Sequence, residues 1–123
     1  MTSSRLEITK DFTFEAAHYF THEAEDHPFA RVHGHSFAGS VTLAGEPNDK
    51  GWIKDTWKIE QIVKVEIEKL DHHLLNEVEG LNQPSLENIC AWLFDRLAPK
   101  LPGLVAVEVG RPSCGERAVL RRG

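Results

Sequence analysis

The chain of 123 residues is 41% hydrophobic and 27% charged, which is typical of one folded domain and excludes disordered and fibrous classes. Fourteen Lys and Arg residues against nineteen Asp and Glu residues give a net charge of −5, the wrong sign for binding a phosphate backbone. We therefore expect a single domain over residues 1–123 and no nucleic-acid partner. No signal-peptide pattern and no apolar stretch of about 20 residues is found, so a cytoplasmic location without membrane association is expected. Cys90 and Cys114 form no CxxC pair and are expected to be reduced.

The first half of the chain alternates between apolar and polar residues. This period of two predicts a first strand over Arg5–Phe14 that continues towards His18, and a second strand over His35–Ala44. Turn-forming residues at 45–51 end the second strand.

The second half begins with helical periodicity. Apolar residues at three- and four-residue steps predict a helix from Lys58 onward, and Ser85 is the expected N-cap of a second helix that ends at Pro99. Strands are predicted at Leu104–Val109 and Arg117–Arg121. The order ββααββ indicates an α+β fold in which helices cover one face of a sheet.

Histidine is the unusual component, because all seven His residues lie between positions 18 and 73. In an extended segment residues i and i+2 point to the same face, so His33 and His35 can converge on one metal ion. His18 ends the first predicted strand where the second begins and is the best candidate for a third ligand. Three His ligands with an open position are typical of catalytic zinc, although iron, nickel and copper also bind imidazole. For the HxH pattern alone, surface histidines and a packed His18 are the commoner explanation, and His22 and His27 are expected to be solvated or packed locally.

A carboxylate precedes an imidazole near the end of the first predicted helix, at Asp71 and His72. Contact between the carboxylate and one ring nitrogen would fix the tautomer and raise the basicity of the other, as a proton-transfer histidine requires. A polar helix terminus, where histidine favours the helix dipole, explains the two residues equally well.

Five short motifs span most of the chain: FEAAH at 14–18, HGHSF at 33–37, GWIKD at 51–55, LDHHLLN at 70–76 and PSLEN at 84–88. In this order they resemble the 6-pyruvoyltetrahydropterin synthase and 6-carboxytetrahydropterin synthase family, in particular the bacterial 6-carboxytetrahydropterin synthases of queuosine biosynthesis. The resemblance implies a T-fold: a four-stranded antiparallel sheet with two helices on one face, assembled into trimers and hexamers with active sites between subunits.

The same resemblance implies a function and a set of site residues. The expected substrate is 7,8-dihydroneopterin triphosphate, which loses triphosphate and acetaldehyde to give 6-carboxytetrahydropterin. The expected cofactor is Zn²⁺, held by His18, His33 and His35. The resemblance further implies that Asp71 and His72 transfer a proton, and the expected substrate-binding residues are Ser85, Glu87, Arg111 and Glu116.

Two departures from the family pattern put this activity in question. The family's catalytic Cys, four residues before the HGH motif, is replaced by Phe29, so Glu25, with Asp26 or His27, is the candidate substitute base in that loop. Arg111 stands where a Glu that binds the pterin is expected, and Glu116 is a candidate replacement.

Three functional hypotheses follow from these departures. The first is a zinc-dependent lyase acting on a reduced pterin. The second is a catalytically weak or silent pterin-binding paralogue. The third is an enzyme with an altered substrate, because Arg in place of an anionic anchor favours a carboxylate or phosphate.

Overall fold

A computed structural model describes residues 4–21, 24 and 26–123, and it begins with two long paired strands. Strand β1 spans Glu7–His18 and strand β2 spans His33–Ala44. The period-two pattern places every second side chain in the core, where the rings of Phe14 and Phe37 stack with centroids 4.8 Å apart. The second strand begins two residues before its predicted start, because pairing with β1 continues to His18 and His33.

Two helices follow, each with a side-chain cap at its N-terminus. Helix α1 spans Thr56–Ile67, and the Asp55 carboxylate accepts a hydrogen bond from the Trp57 backbone N–H at 2.9 Å. Helix α2 spans Leu86–Leu97, and Ser85 Oγ accepts from the Asn88 N–H at 3.1 Å. Such caps satisfy backbone donors that the first helical turn leaves free.

The sheet has five strands rather than the four predicted. Strands β3 (His73–Leu74), β4 (Leu104–Arg111) and β5 (Glu116–Arg121) complete it in the order β3-β1-β2-β4-β5. The pair β1–β3 is parallel and all other pairs are antiparallel, so the expected four-stranded antiparallel sheet is wrong. A two-residue strand is too short to show the alternation from which strands are predicted.

One hydrophobic core joins the inward side chains of β1, β2 and β4 to the apolar faces of both helices. A buried carboxylate, Glu66, lies among three cations contributed by Lys69, Arg96 and Lys100. Burial acts to raise the pKa of Glu66, but hydrogen bonds from Arg96 and Lys69 outweigh it and hold that pKa below its usual value. Among the described residues, no helix has the length and apolarity needed to cross a membrane.

Candidate metal centre and adjoining clefts

The register of β1 and β2 brings three histidines together at one end of the sheet. His18 is paired with His33, and His35 is paired with Ala16, so all three imidazoles project from the same face of the two strands. One nitrogen from each ring lies within 4.8 Å of one from each of the others. The strand ends thus assemble the cluster that the HxH spacing indicated.

In two of the three rings, Nδ1 is hydrogen-bonded to a backbone carbonyl oxygen. His18 Nδ1 lies 2.9 Å from the Pro84 carbonyl oxygen, and His33 Nδ1 lies 2.7 Å from that of Arg31. A carbonyl only accepts, so each Nδ1 carries the proton and each Nε2 keeps its lone pair. The Nε2 atoms of His18, His33 and His35 are buried and have no hydrogen-bond partner among the described residues. Three converging Nε2 atoms, two of them on rings whose tautomer leaves a lone pair there, fit a metal ion that takes nitrogen ligands.

The surroundings of His18 and His35 favour the neutral form of these two rings. Burial, together with the neighbouring His33 and His35, lowers the pKa of His18 to about 4 against the opposing effect of the Pro84 carbonyl. Burial also lowers the pKa of His35, and the Arg111 guanidinium contributes in the same direction. Neutral imidazole is the form that binds metal, so both shifts favour metal binding.

Phe29 lies directly beside this cluster. Its ring stacks on that of His33 with centroids 6.0 Å apart, and its carbonyl accepts a 2.7 Å hydrogen bond from the Phe20 N–H. Position 29 is therefore at the site, but its side chain carries no group that transfers protons.

Arg111 and Glu116 form an ion pair beside the histidines. They are the last facing residues of the β4–β5 hairpin, and their side chains meet in a short contact. Arg111 is only 8% exposed, whereas the side chain of Glu116 is 48% exposed. The hairpin can be this tight at its end because Gly110 has no side chain, since a Cβ there would lie 2.8 Å from that of Arg117. Glu116 therefore compensates the charge of Arg111, whose buried Nε has no hydrogen-bond partner among the described residues.

Two clefts adjoin the ion pair. A cleft of about 390 Å³ is lined by Ser85, Glu87, Phe29 and the pair itself, so it brings all four expected substrate-binding residues together. A second cleft of about 450 Å³ includes His33 and His35. Phe29, Arg111 and Glu116 line both clefts.

Cys114 lies beside the histidine cluster, although its position in the sequence did not indicate this. It belongs to the 3-10 turn Pro112–Cys114, is exposed, and places Sγ 4.0 Å from His35 Nδ1. The turn lies against the start of β2, and no local pattern in the sequence indicated this contact between distant segments. The other thiol, Cys90, is buried in α2, where burial raises its pKa to about 11.

Asp71 and His72 form the contact expected of an oriented imidazole. Asp71 Oδ2 lies 2.9 Å from His72 Nδ1, and Asp71 Oδ1 accepts a 2.8 Å hydrogen bond from the Glu15 N–H. The Glu15 hydrogen bond first, and that of His72 second, hold the pKa of Asp71 below its usual value. The His72 N–H in turn donates to the Glu15 carbonyl at 2.6 Å, and His72 adopts φ of 60°, a conformation that costs energy for a non-glycine residue.

His72 does not line either of the two clefts beside the histidine cluster. It borders a separate open depression that is also lined by Glu15, Ser36 and His35, and the side chains of Glu15 and Ser36 are hydrogen-bonded at 2.7 Å. The side chain of His72 is 78% exposed. Within one chain, the oriented imidazole is therefore exposed and lies outside the clefts beside the histidine cluster.

The loop between β1 and β2 was expected to supply a substitute base. Glu25 and His22 lie outside the described residues. Asp26 is exposed in a turn, and His27 Nδ1 accepts a hydrogen bond from the Phe29 N–H at 3.1 Å. The described part of this loop places no carboxylate against the histidine cluster.

The chain combines a sheet covered by two helices with a cluster of three histidines at the ends of its paired strands. These features define its class, which is a T-fold protein with a site suited to a metal ion. The 6-pyruvoyl tetrahydropterin synthase of Caenorhabditis elegans has the same fold, with a TM-score of 0.84, 20% identity, and coverage of 98% of this chain and 97% of that one. The family model described as 6-pyruvoyl tetrahydropterin synthase matches residues 7–122. The chain belongs to this family.

Two curated relatives give the range of activities named in the family. The 6-carboxy-5,6,7,8-tetrahydropterin synthase of Synechocystis sp. is 36% identical over 83% of this chain and 83% of its own length. The dihydroneopterin monophosphate aldolase of Pyrococcus furiosus is 33% identical over 78% of each. Both names describe enzymes of pterin metabolism, which is the functional class of the family.

Proposed function

We propose that this protein is a zinc-dependent lyase of the 6-carboxytetrahydropterin synthase type. Its substrate would be 7,8-dihydroneopterin triphosphate or a related reduced pterin, and its product would serve queuosine biosynthesis. The observation that carries the proposal is the convergence of three unpartnered Nε2 atoms beside two clefts that share Glu116. The 36% identity to a 6-carboxy-5,6,7,8-tetrahydropterin synthase supports the choice of reaction.

Zn²⁺ is the proposed cofactor, held by His18, His33 and His35. Three neutral imidazoles suit zinc and leave one position open. When bound, the ion would polarise the side-chain oxygens of the substrate and acidify the neighbouring C–H and O–H bonds.

Glu116 is the proposed anchor of the pterin ring. Its carboxylate is half exposed, while the buried Arg111 fixes one side of it. A carboxylate with free lone pairs can accept hydrogen bonds from the amino group and ring N–H of a pterin. Ser85 and Glu87 border the same cleft and would enclose that edge of the ring.

Asp71 and His72 are proposed to act from a neighbouring subunit. Asp71 holds the Nδ1 proton of His72, so Nε2 is the atom that exchanges a proton with substrate. Because His72 is exposed and lies outside the clefts beside its own histidine cluster, we infer that a complete site needs a second copy of the chain. The exposed edge of β5 gives a further reason to expect a trimer or hexamer.

A second candidate function is a silent pterin-binding protein. The apolar ring of Phe29 stacked on His33 favours it, since that position contributes no acid or base. A third candidate, aldol cleavage of dihydroneopterin monophosphate, is favoured by the 33% identity to an enzyme of that name.

The test is product analysis by liquid chromatography and mass spectrometry. Zinc-loaded protein is incubated with 7,8-dihydroneopterin triphosphate and, separately, with the monophosphate, with chelator-treated protein and His33→Ala as controls. The proposal expects 6-carboxytetrahydropterin and acetaldehyde from the triphosphate, with loss of turnover in both controls. Binding without conversion would establish the silent protein, and cleavage of the monophosphate alone would establish the aldolase.

A further inference from the structure

The Arg111 side chain has more hydrogen-bond donors than partners. A guanidinium group carries five N–H bonds, and among the described residues its hydrogen-bond partner is the Glu116 carboxylate, contacted through Nη2. The Nε–H is buried and has no partner in that part of the chain. Because the Arg111 side chain is only 10% exposed, water reaches little of it. Buried donors without acceptors are costly, so these N–H groups point to an acceptor that a ligand supplies.

A free acceptor lies beside these free donors. The ion pair uses Oε2 of Glu116, which leaves Oε1 available to accept a hydrogen bond from a ligand. The side chain of Glu116 is 48% exposed, and both residues of the pair line both clefts. A ligand in these clefts therefore meets donors from Arg111 next to an acceptor from Glu116.

This combination selects a neutral polar edge rather than an anion. A phosphate or carboxylate only accepts hydrogen bonds, so beside Arg111 it would also face the Glu116 carboxylate and be repelled by it. A cyclic amide presents a C=O and an N–H side by side, and so it matches both residues.

The neighbouring Phe29 adds a preference for flat ligands. Its side chain lines both clefts, and the residue is 41% exposed. An aromatic ring with exposed apolar surface favours stacking by another planar ring. The clefts therefore suit a flat heterocycle that carries a cyclic amide on one edge.

We propose that Arg111 is a specificity-determining residue that donates hydrogen bonds to the 4-oxo group of a 2-amino-4-oxopteridine ring. Glu116 then accepts from the adjacent ring N–H and from the 2-amino group. This inference rests on the proposed function, in which Glu116 anchors the pterin, and it adds that the ring carries oxygen at position 4. A 4-amino ring sets its own N–H donors against those of Arg111 and is rejected.

The test is fluorescence titration of the chelator-treated chain at neutral pH with three rings: pterin, 2,4-diaminopteridine and 2,4-dioxopteridine. None of them has the side chain that a metal ion would bind, so the measurement is independent of metal and of turnover. The parent should bind pterin about 10- to 100-fold more tightly than either analogue, because each analogue leaves a buried polar group without its partner.

Two variants separate the two ring positions. Arg111→Lys keeps the positive charge opposite Glu116 but loses the planar fork of donors, so its preference for pterin over 2,4-diaminopteridine should fall below about threefold. Its preference for pterin over 2,4-dioxopteridine should remain. Glu116→Gln should show the converse pattern, because its amide can donate to an oxygen at position 2. Arg122→Lys is the matched control, since Arg122 pairs with Asp95 and lines neither cleft, and it should behave as the parent.

Ring preference and turnover are measured separately, so their failures are distinguishable. Equal Kd values for pterin and 2,4-diaminopteridine in the parent, or a preference that Arg111→Lys retains, would overturn the role of Arg111 and leave the proposed lyase activity standing. The expected ring preference in a parent that converts no pterin would contradict only that activity.

Two further measurements complete the test. Displacement of pterin by inorganic phosphate in the parent but not in Arg111→Lys would assign Arg111 to an anion and overturn the proposal. Circular dichroism checks the fold of Arg111→Lys, and if this variant does not fold, the ring preferences of the parent and of Glu116→Gln decide the outcome.

Discussion

The buried His18 makes the stability of the metal-free protein depend on pH. Its pKa is about 4 in the folded chain and 6.5 in an ordinary environment. Below pH 6.5, His18 becomes protonated in the unfolded chain, whereas in the folded chain it stays neutral until the pH falls to about 4. The contribution of the neutral His18 to the free energy of unfolding is therefore fully present above the pKa of the unfolded chain. It is lost as the pH falls towards the pKa of the folded chain. A pKa difference of about 2.5, at about 1.4 kcal/mol for each pKa unit, gives a loss of about 3.5 kcal/mol once the pH is well below 4.

The assay is urea unfolding of chelator-treated protein at fixed chain concentration, from about pH 7 to about pH 4.5. His18→Gln removes the titrating ring but keeps an amide that can donate to the Pro84 carbonyl. It should lose less stability than the parent over this range, whereas His73→Gln, which alters an exposed ring, should follow the parent. If His18→Gln lost stability in parallel with the parent, the burial of a neutral His18 would not be the cause.

Three further predictions concern stability and assembly. Glu66→Gln should lower the free energy of unfolding by about 2 kcal/mol, because three half-exposed cations lose their shared carboxylate; an unchanged urea midpoint would contradict this. Arg111→Glu should weaken neopterin binding and lower Tm, because it sets a second carboxylate against Glu116. The family resemblance alone would instead predict that this change restores the residue that anchors the pterin, so tighter neopterin binding by calorimetry would contradict the prediction. Sedimentation should give a trimer or hexamer at micromolar concentration, and a monomeric mass would argue against a shared site.

The long strands could be predicted because their alternation is set by burial of one face. The same alternation placed His18 against the start of β2, so the histidine cluster followed from strand ends and the HxH spacing. Helix α2 began where its Ser85 cap indicated. These features depend on local sequence and on a single antiparallel pairing.

Other features could not be predicted because they depend on contacts between distant segments. Strand β3 has two residues and exists through its pairing with Ala16 and Ala17 of β1. Cys114 lies 79 positions from His35 in sequence and reaches it only because the β4–β5 turn folds back. The pairing of Arg111 with Glu116 likewise required β4 to end two residues later and β5 to begin one residue earlier than the sequence pattern predicted.

The central claim is that His18, His33 and His35 hold one metal ion per chain. Elemental analysis of protein purified without chelator tests it most directly, with His33→Ala and the exposed-ring variant His73→Gln prepared in parallel. We predict close to one zinc per chain in the parent and in His73→Gln, and a large loss in His33→Ala. A parent without bound metal, or a His33→Ala protein with as much zinc as the parent, would contradict the account.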